Sequence, residues 1–300
     1  MRLRFFLLLL IAVSLSIDGT RYSYAQTDSI IPLNYKKLTF AISATGVAYS
    51  ATMTGLSHAW YSQQEKSNFH FFDDSQEWKQ MDKIGHTYIT FHQAMVFDEL
   101  YRWCNLSSKK SIWYGAATAF TIQNSIEIFD GFSKKYGASI SDVIANGIGA
   151  AGYILQARKG NKPTIIPKYS FYPSNIAPTR PNVLGNTWAE QAIKDYNGQT
   201  YWLAFNLKNI FFKQKKFPSW LALSIGYGGR NMKFATDPAN EQIGLNTYRT
   251  YLFSLDLDLS NINTKSKVIN YIFRRLNMIH LPAPAIEWNK NGINFHPIYF

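Results

Sequence analysis

Asp82 and His86, four residues apart, are the clearest candidates for chemistry in this chain of 300 residues. On a helix that spacing puts both side chains on one face. The carboxylate can then accept the imidazole N–H, fix its tautomer and leave the other ring nitrogen for a metal, a proton or a hydrogen bond. Glu127 and Asp130 stand three apart, and Asp142 and Asn146 four apart, each pair within an otherwise apolar stretch. Uncompensated buried charge is expensive, so the three pairs are expected to converge on each other or on a ligand. The catalytic candidates are Asp82, His86, Glu127 and Asp130, and the binding candidates are Asp82, Lys83, His86, Glu127, Asp130, Asp142 and Asn146.

One imidazole among several carboxylates suits an acid–base or metal-assisted hydrolase. The pattern is not specific to either. His92 lies six residues from His86, off ligand spacing, and no serine sits in a strand-turn-helix nucleophile motif. No cofactor is expected and no metal site is assigned, although a divalent metal is compatible with these donors. The alternative is a structural network in which Lys83 or Arg102 neutralises the acids and fixes the packing. His58, His70, His92, His280 and His296 stand alone and read as packed or surface residues.

Apolar helices must position these groups. Leu38 to Tyr61 holds no Asp, Glu, Lys or Arg, but its seven Ser or Thr residues make a poor lipid-facing helix, so it reads as buried or lying against a membrane. An aromatic and acidic segment, Phe69 to Gln80, leads into a helix from Met81 to Trp103. A third helix, Ile112 to Phe129, carries no ionisable residue before Glu127, and a fourth, Asp142 to Gln156, starts from a cap at Ser139 or Ser141. Five prolines between Pro163 and Pro181 mark a boundary. Beyond it the apolar period becomes two: Tyr201 to Leu207, Leu221 to Tyr227 and Phe253 to Leu259 alternate, and Ile293, Phe295 and Tyr299 suggest a fourth strand. A helix from Lys267 to Met278 interrupts them.

The chain opens with Arg2 and Arg4 before an apolar run from Phe5 to Val13, and Ser23-Tyr24-Ala25 offers a cleavage site, so residues 1–25 are expected to be a signal peptide. The formal net charge is +12, and removing that leader lowers it by two. An exported basic protein meets anionic lipid or envelope polymers, which makes membrane lipid or an envelope protein the expected partner and excludes nucleic acid. The one cysteine, Cys104, allows no internal disulfide and reads as a small buried apolar residue. The sequence leaves the oligomeric state open.

Taken in order, Asp82-Lys83-Ile84-Gly85-His86, Glu127 with Asp130-Gly131, Tyr136-Gly137 and Ser141-Asp142 through Asn146-Gly147 and Gly149 resemble the motifs of the YfiM-like family of predicted periplasmic lipoproteins, domain of unknown function 2279. They are similar, more distantly, to the VanZ-like membrane proteins. The resemblance covers about Trp78 to Tyr153. It implies an envelope location and a shared polar site at Asp82, His86, Glu127, Asp130, Asp142 and Asn146, and it implies no activity. This chain departs from the pattern in having no cysteine at the expected cleavage site.

The fold expected is α+β: a signal peptide (1–25), a bundle of about four helices (26–157), a Pro-rich connector (158–187) and a small antiparallel β-rich domain (188–300). Three functions fit that organisation. The leading one is a non-enzymatic, membrane-associated envelope protein binding lipid or a partner. The second is a hydrolase-like enzyme acting on a lipid or cell-wall precursor at the polar site. The third, ranked last because only four strands stand out, is a subunit of an oligomeric outer-membrane barrel.

Overall fold

The computed structural model describes residues 32–56, 65–158, 163–211 and 216–300. The expected signal peptide and His58 lie outside those residues. The class is α+β, as expected, with a helical segment followed by a six-stranded antiparallel sheet. The chain divides into two compact units. One takes residues up to Ser75 with Ile89–Lys162, and the other takes Gln76–Tyr88 with Pro163–Phe300.

The first unit contains α1 (Tyr35–Leu56), most of α2 (Met81–Trp103), α3 (Ser108–Gly131) and α4 (Ile140–Ala157). Phe91, Phe97, Leu100, Ile112, Tyr153 and the buried Cys104 form its apolar core, closed by alanines of α1, α3 and α4. Burying a large apolar side chain contributes roughly 1.5–3 kcal/mol, so this cluster stabilises the helices collectively. The Asn34 N–H donates to the Cys104 carbonyl (3.0 Å) and ties the start of α1 to the end of α2. Ala41 is buried, whereas Phe40, Ile42 and Val47 of α1 are exposed. Among the described residues no helix is long and apolar enough to cross a membrane.

The second unit is built on β1 (Ile165–Phe171), β2 (Gln199–Asn206), β3 (Leu221–Arg230), β4 (Tyr248–Leu257), β5 (Ala283–Asn289) and β6 (Gly292–Tyr299), each strand pairing with the next. The four strands read from the sequence are present, with two more. β1 lies in the expected connector and tolerates Pro167 because it ends the strand order, where a missing N–H costs little. β5 carries Pro284 at the register shift between Ala283 and Ala285 in its pairing with β6. Tyr169 bonds Met278 and His280 on its free side, and Tyr299 reaches Thr200 (3.0 Å), so the sheet curls about an interior. The longer helices that accompany it are α5 (Trp188–Lys194) and α6 (Lys267–Leu276).

The alternation is as expected, but the buried face is the polar one. Lys168, Ser170, Ser224, Thr250, Ser254, Asp256 and Glu287 point inward, while Leu203, Ile225, Phe253, Leu255 and Ile286 point outward and are exposed. The Lys168 Nζ pairs with Asp256 (2.8 Å), both side chains 1% exposed, and also donates to the Leu257 carbonyl (2.7 Å). The Ser224 hydroxyl completes the Asp256 carboxylate (2.5 Å). Among the described residues, Trp202, Leu252 and Ala285 form the buried apolar cluster inside. Gly226 makes it fit, since a Cβ there would stand 2.7 Å from the Trp202 ring.

Candidate functional site

In the second unit the site begins at three consecutive left-handed residues, Trp78 (φ 49°), Lys79 (φ 54°) and Gln80 (φ 63°). A left-handed turn costs roughly 1–2 kcal/mol per non-glycine residue, so it persists only where neighbours over-determine it. Here they do. The Trp78 N–H donates to the Ala235 carbonyl (2.7 Å), Tyr227 donates to the Lys79 carbonyl (2.5 Å), Lys79 pairs with Asp237, and Arg249 donates to Gln80 (2.7 Å). The turn aims the first residues of α2 and puts Asp82 where the helix N-terminus favours a negative charge.

Asp82 accepts from the Tyr196 hydroxyl (2.6 Å) and from Lys83 Nζ (3.2 Å), while His86 Nε2 stands 4.0 Å away, as an ion-pair neighbour rather than a hydrogen-bond partner. Burial pushes the Asp82 carboxyl up, but His86, Lys83 and Tyr196 outweigh it and hold it below the ordinary carboxylate range. Tyr201 lies near Asp82 and clusters with Tyr88 and Tyr169, the three ring centroids 5.4–6.0 Å apart, and burial drives their hydroxyls up so that they stay protonated. Gly85 lets Tyr201 approach, because a Cβ would stand 2.9 Å from its hydroxyl oxygen. The pair is thus a fixed, ionised carboxylate beside an imidazole, an arrangement able to orient a base or offer metal donors.

In the first unit the polar residues gather at the start of α4. Ser139 caps it, accepting from the Asp142 N–H (3.1 Å), and its own N–H donates to Glu127 (3.2 Å). Its hydroxyl and that of Ser141 both donate to Asp74 (2.6 and 2.9 Å). One turn on, the fully buried Asn146 accepts from Thr90 (3.0 Å) and donates to Asn124 (3.1 Å). The Asp130 carbonyl accepts from Ser133 and Gly137 (2.9 Å each) and shapes the turn between α3 and α4. Ser139 therefore brings Glu127 and Asp142 to one helix end, with Asn146 behind them.

Several partners escaped the sequence reading. Asp74 lies in a segment read as a connector, with no spacing that links it to Ser139. Arg102 pairs with Asp98 (2.8 Å), and Tyr153 completes that carboxylate (2.5 Å). The i, i+4 spacing of Asp98 and Arg102 was a legible signal. His296 bonds Glu287 (2.7 Å), and His280 is buried flat against Trp202, with ring centroids 3.9 Å apart.

The candidate residues all fall within one segment of the chain that is similar to a known family. Residues 70–157 match the predicted periplasmic lipoproteins, DUF2279. The match embraces every candidate from Asp82 to Asn146 and agrees with the motif resemblance over Trp78 to Tyr153. DUF2279 is a domain of unknown function, so it gives an exported protein, periplasmic or associated with the outer membrane, and no activity. The DUF2279 segment covers under a third of the chain and ends before β1, leaving the sheet outside it. No curated protein and no solved structure is similar to the chain at a significant level.

Proposed function

We propose that this envelope protein works at a membrane surface and that its polar residues bind a ligand there. One observation carries the membrane part. On α4 the side opposite the buried Asp142 and Asn146 presents Ile140, Ile144, Ile148 and Leu155, each more than half exposed. An exposed apolar stripe of that length on a basic protein is what a helix resting on anionic lipid offers. Flotation with anionic vesicles tests it: the purified protein is expected to float with the lipid, and a protein left entirely in the soluble fraction would refute the reading.

The ligand part takes Asp82, Lys83 and His86 in one unit, and Glu127, Asp130, Asp142 and Asn146 in the other, as binding groups. Its support is the ionised Asp82 carboxylate held beside His86. Replacing His86 with Ala and following thermal unfolding with and without Zn²⁺ separates two roles. For a binding site, the substitution is near neutral in stability and abolishes a Zn²⁺-induced rise in Tm; a large loss independent of the metal makes the pair structural. The same carboxylate–imidazole pair supports a second reading, a hydrolase acting on a lipid or cell-wall precursor. That reading requires turnover that His86→Ala abolishes.

A further inference from the structure

We propose that the outward face of the six-stranded sheet, with the apolar side of α6, is a lipid-contacting surface. The inference deepens the membrane-surface reading and rests on it.

Register carries the first argument. Tyr201, Tyr227, Tyr251 and Trp288 stand side by side across β2 to β5; the segment from Lys79 to Tyr88 covers Tyr201 and Tyr227, and Tyr251 and Trp288 are exposed. The next outward row is Leu203, Ile225, Phe253, Ile286 and Phe295, followed by Phe205, Leu223 and Leu255. Ile225, Phe253 and Leu255 are each about half exposed (53%, 48% and 51%). Among the described outward strand positions Arg249 is the one charge, and it lies at the aromatic end. Polar side chains inside, apolar ones outside and the exposed rings of Tyr251 and Trp288 at the margin form the pattern of a sheet whose solvent is hydrocarbon. A sheet facing water carries the opposite sign.

α6 supplies an independent argument. Val268, Ile269, Ile272 and Leu276 are exposed on it, while Tyr271 is buried. From Ser260 to Ile286 the chain carries Lys265, Lys267, Arg274 and Arg275 and no acid. An apolar helix side flanked by cations fits an anionic headgroup layer. It does not fit a second copy of the chain, which would bring the same cations to the contact. The proposal is lipid contact, not a spanning barrel, since a single-chain barrel takes eight strands or more and the described sheet has six.

The test places an environment-sensitive nitrobenzoxadiazole label on Ile225→Cys and, separately, on Phe253→Cys in the full chain. Cys104 is buried and does not compete. Lys134→Cys, on the exposed side of the first unit, serves as the reference. With phosphatidylethanolamine–phosphatidylglycerol vesicles, the two sheet labels are expected to shift to the blue, brighten severalfold and be quenched by nitroxides on the acyl chains. The reference label is expected to stay unchanged. Flotation of the protein with unchanged sheet labels would overturn the inference and leave the membrane reading standing, whereas no flotation would overturn both. A blue shift without vesicles in a protein that sediments as a dimer would assign the face to a second copy and overturn the inference too. Either labelled position suffices if the other variant fails to fold, as judged by its Tm.

Discussion

The two units solve the problem of polar groups in opposite ways. The helical unit has an apolar core from Phe91 to Tyr153, and its buried Asp98 and Arg102 form one compensated pair at the margin of that core. The sheet unit buries Trp202, Leu252 and Ala285 as a cluster, with Ala204 and Ala222 also inward, and lines the same interior with polar pairs such as Lys168–Asp256, Glu287–His296 and Asn206–Asp258. Leu203, Ile225, Phe253, Leu255 and Ile286 are on the outside. Hydrophobic burial therefore dominates the first unit, whereas buried ion pairs and hydrogen bonds share the interior of the second, whose strands turn further apolar side chains outward.

The largest expected effect follows from that difference. Lys168→Met leaves the Asp256 carboxylate buried without its cation and is expected to cost roughly 3–5 kcal/mol in urea unfolding at neutral pH. Adding Asp256→Leu removes the stranded charge and restores most of the loss. A single variant as stable as the parent would show that the ion pair does not hold the sheet together.

Next comes a pair of truncations. Leu100→Ala in the helical core is expected to cost roughly 2–5 kcal/mol. Leu255→Ala on the outside of the sheet is expected to cost less than about 1 kcal/mol in the absence of lipid, because its side chain is already half in solvent. Equal costs measured by thermal unfolding would erase the contrast between the units.

A smaller effect is a dependence on pH confined to the sheet unit. Burial pulls the His280 imidazole down to about 4, from an ordinary value of 6.5, and Lys168 works in the same direction against Asp256. Between those values the unfolded chain binds a proton that the folded chain refuses, so stability falls as pH drops through that window. The loss is at most about 3 kcal/mol by pH 4. His280→Phe keeps a ring against Trp202 and should flatten the profile between pH 6.5 and 4. An unchanged profile would assign the acid sensitivity elsewhere.

Much of this was legible in the sequence. Helix positions followed from apolar runs and the Ser139 cap, and the motifs from Asp82 to Asn146 carried the resemblance to DUF2279. The period of two identified strands but not which face is buried: Leu221, Leu223 and Ile225 alternate with Ala222, Ser224 and Gly226 whichever side faces water. The sign becomes visible only when Lys168 meets Asp256, 88 residues away, inside the curl of the sheet. β1 and β5 were hidden by Pro167, tolerated in a strand that ends the order, and by Pro284, which sits at the register shift between Ala283 and Ala285. The left-handed turn at Trp78 to Gln80 was illegible because its cause lies in Tyr227, Ala235, Asp237 and Arg249, far along the chain.

The most direct test of the account compares vesicle partitioning of the parent with that of Phe253→Glu. The substitution puts a charge on the outward face without touching the polar interior. The account predicts at least a tenfold loss of partitioning into anionic vesicles, a Tm in buffer within about 2 °C of the parent, and unchanged packing of the helical unit. Partitioning equal to that of the parent would contradict the claim that the sheet turns its apolar face to lipid.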